Sequence, residues 1–108
     1  MTKEMSTEIK SVTMIRATVR SEYVREVEAS LRIMFAALQQ RALPGVQYAS
    51  CRAPDGVTFV ILLSLEQPLA NPLPGVPEFL AFQAGLKTWL AGPPVAEQLT
   101  VVGSHRLF

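Results

Sequence analysis

The residues able to carry chemistry in this sequence are few and scattered. His105 is the only histidine. On a last strand running from about Leu99 to Phe108 it would share a face with Leu99, Val101 and Leu107. There it could serve as a base or hold a substrate hydroxyl, although a lone histidine near a C-terminus is more often packed or interfacial. With no cysteine or carboxylate at ligand spacing it does not make a metal site. Cys51 would be a reactive thiol if a cation lowered its pKa. Its neighbour Arg52 points to the opposite strand face, so Cys51 reads first as a small buried apolar residue. Phe79, Phe82 and Trp89 could wall an aromatic ligand, but a stripe at this helical spacing is core before it is pocket. Tyr48 has the same dual character: an apolar body and a polar tip that wants a partner. Arg16 falls in mid-strand and calls for a carboxylate or an anionic ligand. Glu66 is a candidate partner, and an ion pair between subunits is the simpler outcome.

These residues sit in a chain of 108 residues, 49% of them apolar, with a net charge of +1. That is one domain with a real core. The charge gives no general pull toward nucleic acid or anionic membrane. No apolar run is long enough to span a bilayer. Residues Met1–Lys10 read as a polar, solvated arm without the apolar segment of a secretory signal, leaving 11–108 as the single domain. One cysteine cannot form an internal disulfide, which makes a reducing cytoplasm the expected compartment.

Strand, helix, strand, strand, helix, strand is the order the patterns predict. The first strand begins near Val12, with Ile15, Ala17 and Val19 facing one way and Met14, Arg16 and Thr18 the other. Ser21 is placed to cap a helix from about Glu22 to Arg41, whose stripe is Val24, Val27, Leu31, Met34 and Leu38. "LPG" at Leu43–Gly45 closes it. Strands at about Val46–Arg52 and Val57–Glu66 flank the tight-turn signal "APDG". The proline-rich stretch from Gln67 to Pro77 is neither helix nor central strand; it is either a lid or a stiff connector. Pro77 then opens a second helix carrying Phe79, Phe82, Leu86 and Trp89, stopped by "GPP". This is an α+β fold of the ferredoxin-like βαββαβ kind, an antiparallel sheet with both helices on one face.

The third strand, "TFVILLSLEQ", is apolar on both sides. Val57, Phe59, Ile61, Leu63 and Leu65 face one way; Val60 and Leu62 hold the centre of the other. Two helices cover only one face. Leaving Val60 and Leu62 in water forgoes about 1.5–3 kcal/mol each, and monomers rarely expose such a patch. A homodimer through the sheet faces removes the problem; the polar arm would cover it poorly.

The chain resembles the antibiotic biosynthesis monooxygenase-like family of dimeric α+β barrels, from about Val12 to the C-terminus. The likeness rests on "LPGVQYASCRAPDGVTFVILLSLE" and "PEFLAFQAGLKTWLAGPPVAEQLTVVG": a PG turn into strand two, a PDG hairpin into an apolar strand three, and a helix ending in GPP. The resemblance implies a pocket between sheet and helices, and cofactor-independent oxidation or binding of a small aromatic or apolar metabolite, with no cofactor and no metal. By the same likeness Asn71 is the amide nearest to where the family places polar pocket groups, though "NP" is also an ordinary turn former. The pocket residues read from the sequence are Tyr48, Phe82, Trp89 and Arg16; His105 and Asn71 are the catalytic candidates. The sequence departs from the family at "LSLEQP", which lacks a tryptophan at the end of strand three. No histidine lies on the second helix, which disfavours the family's haem-degrading variant. A non-catalytic binding protein and a structural dimerisation module of the same fold are the alternatives. An RNA-recognition module would need exposed aromatics on the central strands, and these are missing.

Overall fold

The computed structural model describes residues 11–66 and 71–107. Strand β1 (Ser11–Thr18) leads through a 3-10 turn at Ser21–Tyr23 into helix α1 (Val24–Arg41). Strands β2 (Val46–Arg52) and β3 (Thr58–Leu65) follow, then a 3-10 turn at Leu73–Gly75, helix α2 (Pro77–Trp89) and strand β4 (Val95–Thr100). All neighbouring strands are antiparallel, in the order β2-β3-β1-β4. That is the predicted ferredoxin-like topology, with β1 and β3 at the centre.

Register assigns the two faces. Ile15 pairs with Ile61 and Ala17 with Phe59, and Ser50 pairs with Ile61 in turn. This row of side chains faces the helices. Val27, Leu31 and Met34 of α1 and Phe82 of α2 close on it, with Val19 and Phe59, into one buried cluster. These are the stripe positions the helical spacing picks out, and their burial drives the docking.

The β2–β3 hairpin is held by Asp55. Its carboxylate accepts the Val57 and Thr58 backbone N–H groups at 2.9 and 2.8 Å and the Thr58 hydroxyl. Those bonds favour the charged form and hold the Asp55 carboxyl below its usual value. Gly56 supplies the positive φ of 82° that the turn demands.

Three local expectations are corrected. Ser21 does not cap α1: it starts the 3-10 turn, and no side chain caps either segment. The helix ends at Arg41 as expected; Ala42 takes the left-handed region, its N–H bonded to the Leu38 carbonyl, and Gly45 follows with a φ of 73°. The last strand is Val95–Thr100, not Leu99–Phe108. Every residue of β4 is exposed, so burial leaves no alternating signature, and its position is set by pairing with β1, Val12 against Leu99. Cys51 is exposed rather than buried, because register puts it opposite Val60 on the face away from the helices.

The predicted arm, Met1–Lys10, lies outside the described residues, as does Gln67–Ala70 of the proline-rich stretch. The rest of that stretch is tied down: Leu73 and Val76 are fully buried.

Candidate functional site

A core of this size is normally close-packed. Here a recess of about 630 Å³ is cut into it between the sheet and the helices. Its floor is the helix-facing side of β1, β2 and β3: Ile15, Ala17, Tyr48, Ser50, Phe59 and Ile61. Val27 and Leu31 of α1 and Phe82 and Leu86 of α2 form the walls. Exposed residues Arg20, Gln83, Lys87 and Ala91–Pro94 line the mouth.

Why this end stays open follows from the chain path. After α2 the backbone returns to the end of β1: the Trp89 carbonyl accepts from the Arg20 N–H, and the Ala91 N–H donates to Thr18, both at 2.8 Å. This clamp sets Gly92–Pro94, a segment that prolines keep out of helix or sheet, beside the opening. The Arg20 Nε–H donates to the Leu90 carbonyl at 3.2 Å, holding the guanidinium at the rim.

The interior has only a few polar groups. Ser50 Oγ is buried and has no hydrogen-bond partner, an arrangement that costs about 1–3 kcal/mol unless a ligand or water supplies one. Two residues along the same strand face stands Tyr48, its ring 5.1 Å from that of Phe35. Burial pushes the Tyr48 phenol up to about 12, since the phenolate would lose its hydration. It is a neutral donor or acceptor at physiological pH, not a base. Among the described residues no histidine, aspartate or glutamate lines the recess, and no cluster of three or more His, Cys, Asp or Glu that could hold a metal ion occurs.

The raised phenol has a measurable consequence. Unfolded, it ionises near 10; folded, near 12. Between these values the unfolded chain gives up a proton that the folded chain keeps, so stability is intact below pH 10 and falls as pH climbs toward 12. The expected loss is on the order of 2 kcal/mol. Urea unfolding at pH 9 and pH 11.5 should show it for the native chain and not for Tyr48→Phe.

Of the residues singled out in the sequence, Tyr48 and Phe82 line the recess together. Trp89 does not. It ends α2 and packs against the core cluster, its ring lying over Gly85, where an added Cβ would come within 2.3 Å of the indole. Phe79 likewise packs on the cluster without lining the recess. Arg16 lies on the opposite face of the sheet, paired with Val60 and Val95. Glu66 is not its partner: it is six residues beyond Val60, about 20 Å along the strand direction. The nearest carboxylate on that face by register is Glu97, which sits opposite Met14. The ion pair present among the described residues instead joins Arg52 to Glu28 at 2.8 Å. His105 is exposed in the segment after β4 and lines no part of the recess. Asn71 acts as a turn residue, its Oδ1 accepting the Leu73 N–H at 3.0 Å. Ser50, Arg20 and Lys87 were missed. Ser50 could have been found as the position two beyond Tyr48 on one strand face, and Lys87 as the residue one step round the helix from Leu86.

A ferredoxin-like α+β sheet with a largely apolar recess under its two helices is the class the fold and site define. Solved structures of this class match the chain along most of its length. They include PA3566 from Pseudomonas aeruginosa, at 20% identity and a TM-score of 0.70, covering 89% of this chain and 97% of that one. SnoaB, a cofactor-independent oxygenase from Streptomyces nogalater, matches at 16% identity and a TM-score of 0.65, covering 90% and 97%. A structure described as an antibiotic biosynthesis monooxygenase matches at 13% and 0.65, covering 86% and 99%. No family model matches the sequence, and no curated protein does. The family likeness read from the sequence therefore holds at the level of the fold, which is that of the antibiotic biosynthesis monooxygenase structures. No helix among the described residues is long and apolar enough to cross a membrane.

Proposed function

We propose that this chain binds a small aromatic or apolar metabolite bearing a hydroxyl or carbonyl, in the recess between sheet and helices. The observation that carries this reading is Ser50 Oγ, buried and unpaired beside a cavity otherwise walled by aliphatic and aromatic side chains. Apolar walls supply affinity, and one polar atom fixes orientation. A hydroxy-aromatic ligand would give Ser50 its missing partner and bring Tyr48 within its surroundings. We place the chain in the antibiotic biosynthesis monooxygenase-like group, working as a homodimer through its open sheet face, in the reducing cytoplasm that a lone cysteine suits.

Oxidation of that ligand is the second reading, favoured by the fold shared with a cofactor-independent oxygenase. Such a step needs no external reductant: a hydroxy-arene and O2 give a quinone and water. One oxygen atom enters the ring, the other leaves as water, and the arene supplies all four electrons. The recess offers no carboxylate or imidazole to take the phenolic proton, so the ligand would have to enter as its anion. Calorimetric titration with 2-naphthol, followed by an oxygen electrode on the same mixture, separates the readings. Saturable binding without oxygen uptake is expected for a binding protein, and uptake with quinone formation for an oxygenase. Absence of any binding would defeat both.

A further inference from the structure

The mouth of the recess has a charge character that its interior lacks. Arg20 and Lys87 both line it and both are exposed. Arg20 follows β1 and is bonded to the Trp89 and Leu90 carbonyls at the end of α2, and Lys87 stands in the last turn of that helix. Among the described residues neither takes part in an ion pair, and no carboxylate lines the recess to neutralise them. Arg20 spends its Nε–H on the Leu90 carbonyl, which fixes the plane of the guanidinium and leaves its two terminal nitrogens for a ligand. Gln83, one helical turn before Lys87, adds an amide to the same rim.

Position along the sheet separates this rim from the buried hydroxyl. Ser50 shares a row with Ile61 and Ile15. Arg20 lies five residues beyond Ile15, about 17 Å of extended chain. The recess thus runs from the neutral hydroxyls of Tyr48 and Ser50 on its sheet floor, past apolar walls, to a pair of cations at its mouth.

Resting on the binding reading above, we infer that the ligand is an amphipathic anion. Its elongated apolar or aromatic body lies against Phe82 and Leu86, and its carboxylate, or an equivalent anionic group, is held at the mouth by Arg20 and Lys87. Arg20 and Lys87 are then the specificity-determining residues: a guanidinium fork and an ammonium group meeting one anion in a partly desolvated rim. An uncharged analogue of the same shape forgoes that contact while retaining the apolar walls.

Calorimetry with 6-hydroxy-2-naphthoate and its uncharged counterpart 6-hydroxy-2-naphthamide tests this. The naphthoate should bind about tenfold tighter or better, with the preference shrinking as salt is raised. In the double variant Arg20→Gln, Lys87→Gln the two probes should bind alike. Because Arg20 also braces the Leu90 carbonyl, the single variant Lys87→Gln provides a second reading, in which the ratio of the two affinities measured in that variant is reduced but not abolished. Equal binding of the two probes by the native chain overturns the inference and leaves the pocket reading standing. A preference that survives in the double variant also overturns it. Binding of neither probe overturns both.

Discussion

In the proposed homodimer, substituting Leu62 by aspartate is expected to leave folded single subunits. Leu62 lies at the centre of the sheet face away from the helices, paired with Met14 on one side and Ala49 on the other. Val60, Val95 and Leu99 extend the apolar surface around it, with Val95 57% and Leu99 38% exposed in the isolated chain. A second copy turned about a two-fold axis presents the same patch, so each subunit covers the other. Arg16 and Glu97 stand on this face as neighbours of opposite sign, and in the proposed dimer each would find a partner on the other subunit. An aspartate at position 62 would enter such an interface twice, desolvated and unpaired. The cost is about 3 kcal/mol or more per dimer, a hundredfold or greater loss in association. Leu62 is half-buried in a central strand, so the substitution should also cost the subunit about 1 kcal/mol, and circular dichroism on the same sample should show that it is still folded. Sedimentation equilibrium at micromolar concentration checks both chains. If the unsubstituted chain already sediments as one subunit, the dimer is not there to be broken.

Phe82→Ala should give the largest loss of stability of any single truncation along the recess. Its ring is 2% exposed and it belongs at once to the core cluster and to the wall of the recess. Truncating a buried phenylalanine typically costs about 3–5 kcal/mol, part of it for the void left behind. The void cannot close here, because the space beside it is already empty and the sheet floor is held by its ladders. At about 4–8 °C per kcal/mol for a domain of this size, the midpoint of thermal unfolding should fall by roughly 15 °C or more. Phe82→Leu, nearer in volume, should cost less than half as much while still weakening naphthol binding, because it removes the aromatic wall. Met34→Ala is the contrast. Met34 is fully buried but lines no part of the recess, so it should lower the midpoint without altering affinity in the chain that remains folded.

Which parts of this molecule the sequence revealed depends on where burial leaves a pattern. β3 was readable as a short run of β-branched and large apolar residues from Thr58 to Leu65, set behind the PDG turn that fixed its partner. The α1 stripe was readable because Val27, Leu31 and Met34 face one cluster. β4 was misplaced for the converse reason: an edge strand exposed throughout has no periodicity to detect, and "LTVV" looked more like a strand than "VAEQ" did. The site was harder still. Aromatic stripes advertise core and pocket alike, so Phe82 and Trp89 could not be told apart until their rings were located. Arg16 was assigned to a pocket because a charged residue in mid-strand demands an explanation, and register supplied a different face. Ser50, Arg20 and Lys87 are individually ordinary; only the convergence of three elements on one recess makes them a set.

The indole resting on the bare backbone of Gly85 has a practical corollary. Trp89 is the sole tryptophan, and it is wedged between its own helix and the core rather than turned toward the recess. Its emission is an indicator of whether that helix remains seated. Heat or urea would free the ring from this contact, so intrinsic fluorescence can follow unfolding of the unliganded chain.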